Sequence, residues 1–173
     1  MRTAILVALA LTFAVAATAS ACGGDDEDEL GAEEVSFGGT DTLTPITDSP
    51  LYKCTAGTGE GIPRVWETDG EFTLMGRSLG TYVVKSCELV GDEVRVNALA
   101  IITGENGDDI FIYAHSVINA QTGELTGGDD IIGGTGSLEG ATGFIDVTGT
   151  VDLQTLIATD EFSGTIKLPG SHD

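Results

Sequence analysis

Between Tyr52 and Leu168 the chain is a succession of short runs of β-branched and aromatic residues, each closed by glycine or an Asp/Asn turn, with no 3.6-residue apolar pattern. "GTYVVKSCEL" and "EVRVNALAIITG" meet across Val90 to Asp92, and "DDIFIYAHSVI" and "GELTGGDDIIGG" meet across "NAQTG". "GFIDVTGTVDL" is followed by "EFSGTIKL". Connections this short return the chain alongside itself, so neighbours pair antiparallel; a parallel neighbour needs a crossover of roughly a dozen residues or more. "RVWETDGEFTLMG", Arg64 to Gly76, reads as one more hairpin, turning on Asp69-Gly70. The expectation is an all-β domain.

One stretch, "TGGDDIIGGTGSLEGATG" from Thr126 to Gly143, admits two folds. Its first half, with "GENGDDIFIY" at Gly104 to Tyr113, matches the calcium repeat G-G-x-G-x-D-x-U-x of a parallel β-helix. Its second half is a glycine-built hairpin connection. The two GDD-I fragments, at Gly107 and Gly128, are not separated by a multiple of nine, and no third copy follows. A solenoid needs several stacked turns to bury its faces. Asp129 and Asp130, adjacent in a strand, point to opposite faces and are poorly placed to share one ion. The stretch therefore reads as a turn, and no metal site is expected.

Read as a turn, "IIGGTGSLEGATGFIDVTGTV" resembles the hairpin of the allene oxide cyclase and dirigent barrel superfamily, G-G-T-G-x-Phe-x-G-A-x-G between two strands. Gly133, Gly134, Thr135, Gly136, Gly140, Ala141 and Gly143 match, and Leu138 stands where the aromatic usually is. "GEFTLMGRSLGTY" and the order of strand, T-G turn, strand and G-G-T-G downstream extend the likeness over most of the domain. The resemblance implies a single antiparallel closed barrel of about eight strands, calycin-like, with an apolar cavity and no cofactor. Members include plant cyclases, dirigent proteins that steer radical coupling, and bacterial polyketide cyclases. They rely on acidic, tyrosine or arginine groups inside the barrel, and the likeness does not fix which positions here carry them.

Ahead of this domain, "MRTAILVALALTFAVAATASA" has one basic residue, Arg2, then an apolar run from Ala4 to Ala17 and small residues before Cys22, the layout of a bacterial export signal over residues 1–21. "ASAC" suits ordinary signal peptidase and, imperfectly, a lipobox. The acidic, glycine-led "CGGDDEDELGAEE" favours lipidation at Cys22 and an acidic tether over 22–39, with the barrel at 40–173; the alternative is a secreted protein with a spare thiol. Spending Cys22 on lipid leaves Cys54 and Cys87 to pair in an oxidising compartment. With 28 acidic against 7 basic residues and a formal net charge of −21, nucleic acid and anionic headgroups are excluded as partners, so the membrane is met through the lipid alone. The sequence leaves the oligomeric state open.

Catalytic motifs are absent: there is no Ser/His/Asp order, phosphate loop, zinc signature or CxxC. In "DDIFIYAHSV" alternation sets Phe111, Tyr113, His115 and Val117 against Ile110, Ile112, Ala114 and Ser116, and both faces are largely apolar. With the aromatic face inward, Tyr113 and His115 supply a donor and a titratable base inside a cavity; the plainer reading leaves them as outer-face or core residues. Asn97 is a candidate to orient a ligand's oxygen, and Trp66 and Arg77 are candidates for the cavity mouth. The functional expectation is a barrel binding a small apolar or aromatic molecule. The alternatives are a cyclase or dirigent-type protein that steers ring closure or coupling, and a structural envelope protein with a filled barrel.

Overall fold

The computed structural model describes residues 32–54 and 61–169. The expected export signal and Cys22 lie outside the described residues. Ten strands follow in order: β1 (Glu33–Pro45), β2 (Leu51–Tyr52), β3 (Ile62–Pro63), β4 (Val65–Phe72), β5 (Gly76–Val90), β6 (Glu93–Thr103), β7 (Asp109–Asn119), β8 (Glu124–Gly134), β9 (Thr142–Val151) and β10 (Ala158–Leu168). Eight of them close in the order β1-β10-β9-β8-β7-β6-β5-β4, with β4 back against β1, and every neighbouring pair is antiparallel. From β4 onward the sheet is a plain meander; β1 alone departs from it, lying between the last strand and β4 and so removing both sheet edges. β2 and β3 form a separate short ribbon.

Two expectations are corrected. The barrel begins at Glu33, so β1 takes the end of the stretch 22–39 read as tether: Val35 and Phe37 carry an apolar alternation that pairs with Ile166 and Gly164 of β10. Asp69-Gly70 is not a turn but the middle of β4, and the chain reverses instead across Phe72 to Gly76, where Leu74 has φ 71°. Gly70 is small for another reason. It lies opposite Asp41, and a Cβ there would run into the Thr40 carbonyl and the Asp41 side chain.

The glycine stretch is the β8–β9 connection, a single 3-10 turn over Gly136–Leu138 that turns Leu138 inward to 2% exposure. Asp108, from one of the two GDD fragments, serves this loop: its Oδ2 accepts the backbone N–H and hydroxyl of Ser137 at 3.0 and 2.5 Å. Those bonds, the Ser137 hydroxyl foremost, hold the Asp108 carboxyl below its usual pKa. Thr135 ties the same loop to β7, its hydroxyl accepting from the Asp109 N–H at 2.8 Å. The other fragment lies within β8. An antiparallel barrel in which one fragment staples a hairpin leaves no place for a parallel calcium solenoid.

A bulge in β5, where Lys85 falls between the paired Val84 and Ser86, reverses the alternation so that both Val84 and Cys87 face inward. Cys87 thereby meets Cys54, two residues after β2, in a disulfide with Cα atoms 4.7 Å apart.

Candidate functional site

The inward positions divide the barrel into two halves. At the end holding the β4–β5, β6–β7 and β8–β9 turns, Phe37, Phe72 and Phe162 form a triangle with ring centroids 4.6 to 6.2 Å apart. Met75, Ile102, Ile110, Leu138 and Ile166 fill the space around them. At the other end several inward residues are small: Val96, Ala98, Ala114, Val147 and Ala158, with Ile118 and Leu125, wall an apolar cavity of about 190 Å³. Leu43, Ile62, Leu153 and Leu156 rim it, and Trp66 is fixed at the rim by its indole N–H, which donates to the Pro63 carbonyl at 2.8 Å.

Between the halves lies a belt of acids. Asp41 on β1, Asp129 on β8 and Asp160 on β10 all point inward, and Asp129 and Asp160 line the cavity together with Tyr82 on β5. Asp41 and Asp160 are direct cross-strand partners. Asp41 is 6% exposed; one of its oxygens accepts from the Thr68 hydroxyl at 2.5 Å, and Oδ1 has no hydrogen-bond partner. Asp129 is 4% exposed and accepts the backbone N–H of His115 at 3.3 Å. Burial pushes the Asp129 carboxyl up to about 7, against the lowering effect of the His115 N–H and with a further rise from Asp41 and Asp130. Burial also raises Asp160 far above the usual carboxylate range, reinforced by its hydrogen bond to Asp41 and by the charges of Asp41 and Asp129. Desolvation, then the same three carboxylates, raise the Tyr82 hydroxyl. Near neutral pH Asp160 thus keeps its proton and Asp129 is poised to exchange one.

Of the residues singled out from sequence, only Trp66 reaches the cavity. β7 turns Ile110, Ile112 and Ala114 inward, which leaves Tyr113 and His115 outside, their rings edge to face with centroids 4.6 Å apart. His115 Nδ1 lies 2.7 Å from Asn97 Oδ1, and Asn97 donates to Ser86 at 2.7 Å, so these residues form a polar line across the outer surface. His115 Nε2 is 3.4 Å from Asp130, the outward half of the Asp pair. Arg77 is exposed and paired with Asp69 at 2.9 Å. None of these four touches the cavity. The groups that do, Asp129, Asp160 and Tyr82, were not picked out as site residues, nor was Asp41 beside them, although each Asp sits two positions from apolar inward neighbours: Leu43, Ile131, Ala158 and Phe162. An acid inside an alternating apolar row is the signal that finds them. Among the described residues no three His, Cys, Asp or Glu side chains are placed to hold a metal ion.

No family model and no curated protein matches the chain. Among solved structures it is similar to the pterocarpan synthase dirigent protein PsPTS1, at TM-score 0.51 and 16% identity over 82% of this chain and 99% of that one. The fold is the dirigent-type barrel. A second pterocarpan synthase dirigent protein, GePTS1, aligns at TM-score 0.48 and 16% identity over 86% of this chain and 96% of that one. At such identity the likeness concerns the dirigent-type backbone, and the residues that give this barrel its chemistry are read from its own interior.

Proposed function

We propose that this protein is an exported barrel that binds a small apolar or aromatic molecule in the open half. The observation that carries the reading is the asymmetric interior: a chain with Phe and Ile available to fill one half places Ala98, Ala114 and Ala158 around a void in the other. Void surface forfeits packing contacts, so a purely structural barrel would gain stability by filling it. Export is supported by the leader-like residues 1–21 and by the disulfide, which belongs to an oxidising compartment; lipidation at Cys22 is part of the same proposal. The test is uptake of naphthalene, followed by its fluorescence, in the wild type and in the double variant A98F/A114L. Uptake in the wild type, with affinity at least tenfold weaker in a variant that still melts cooperatively, is the expected result. Equal uptake by both proteins would remove the cavity from the account.

A second reading, steering of a ring-closing or coupling reaction in the dirigent manner, is favoured by Asp129. A carboxyl held at about 7 in an apolar, water-poor site is suited to take or give a proton at a ligand hydroxyl. The walls would fix the ligand's conformation, and proximity would supply most of the rate.

A further inference from the structure

The interior acids set a charge requirement that the protein does not itself meet. Asp41, Asp129 and Asp160 stand on three strands around one cross-section, and every described Lys and Arg, from Lys53 through Lys167, has its side chain on the exposed surface. Buried acids are ordinarily paired with a cation or fully hydrogen-bonded. Here Asp41 Oδ1 has no hydrogen-bond partner, and Asp129 accepts a 3.3 Å contact from the His115 backbone N–H. Asp129, nine-tenths buried, lines the cavity and is open to a ligand that enters it.

We infer that the cavity takes a small primary amine with an apolar or aromatic body, its ammonium group seated against Asp129 and its body against Val84, Ala98, Ala114 and Val147. This inference rests on the binding reading above and names the ligand class. A neutral hydroxyl would satisfy one hydrogen bond; an ammonium group supplies three donors and the positive charge that the acid belt lacks. Tyr82, which lines the cavity beside the acids, is an aromatic ring of the kind that attracts a cation. The net charge of −21 adds to this by raising the concentration of cations at the surface and repelling anionic competitors. The amine arrives already protonated. On seating, Asp129 gives its proton to solvent and becomes the counter-ion, while Asp160 keeps its own.

The test compares phenethylamine with 2-phenylethanol, which differ in the terminal group alone, by isothermal titration at pH 8 and pH 6. The expected result is an amine at least tenfold tighter than the alcohol at pH 8. At pH 6, where Asp129 starts protonated, amine binding should release close to one proton, read from the heat difference between two buffers. In Asp129→Asn the amine should fall to the alcohol's affinity while the alcohol is unaffected. Alcohol binding as tightly as amine to the wild type would overturn the amine inference and leave the binding cavity standing. If neither compound binds, both readings fall.

Discussion

The two halves of the barrel are built from the same eight strands and differ only in what those strands turn inward. Toward the β8–β9 hairpin the inward positions are Phe37, Phe72, Phe162, Ile102, Ile110 and Ile166, and the space is filled. Toward the β9–β10 loop alanines and valines, Ala98, Ala114, Val147 and Ala158 among them, take several of these places, and the space stays open. The comparison separates two tasks that a small domain usually mixes. Dispersion and aromatic packing in the filled half hold the sheet closed, which frees the open half from having to pack. The acid belt is where the two tasks meet, and it costs stability that the filled half offsets.

The comparison breaks most readily at the aromatic triangle. Phe162→Ala should destabilise the fold by about 3–5 kcal/mol, whereas Ala98→Leu, one methyl-rich side chain added to the void, should cost less than about 1 kcal/mol or stabilise it. Denaturant unfolding of the two variants checks this, and equal losses would show that the halves do not divide the work.

Acidity sharpens it next. The carboxyl of Asp129 is raised in the fold, so the folded protein binds more protons than the unfolded chain between the ordinary carboxylate range and about pH 7. Its contribution is therefore fully present below about pH 4 and is lost as pH rises through 7. The slope is at most about 1.4 kcal/mol per pH unit for one such group. Melting curves of the wild type and Asp129→Asn across pH 4 to 8 should diverge, the variant gaining relative stability as pH rises. Parallel curves would mean that the belt is solvated. The smallest effect is expected outside: Arg77→Ala, which removes an exposed ion pair, should leave the unfolding midpoint and the uptake of naphthalene unchanged.

How much of this the sequence carries follows from what period-2 alternation can and cannot say. Strand boundaries were legible because glycine and Asp/Asn turns bracket β5 through β10, and the hairpin motif pointed to a closed barrel. Asp69-Gly70 misled because the pair that favours a tight turn also appears where two backbones must approach, and only the partner strand β1 distinguishes the cases. The site was hidden by a similar ambiguity. In β7 both faces are apolar, so alternation could not choose between the row of Ile110 and the row of Tyr113; the choice is made by neighbours far along the chain. Asp129 and Asp130 lie on opposite faces as alternation requires, one under the sheet and one over it, but alternation alone does not say which of the two is inside.

The place where β1 enters has a directional consequence. Glu33 pairs with Leu168 at the filled end, and the strand runs from there toward the rim, reaching Pro45 beside Trp66. Whatever precedes residue 33 is joined to the plugged base, on the opposite side of the molecule from the opening. The filled end is the foot on which the chain enters, and the acid-floored mouth opens at the far end of the same barrel.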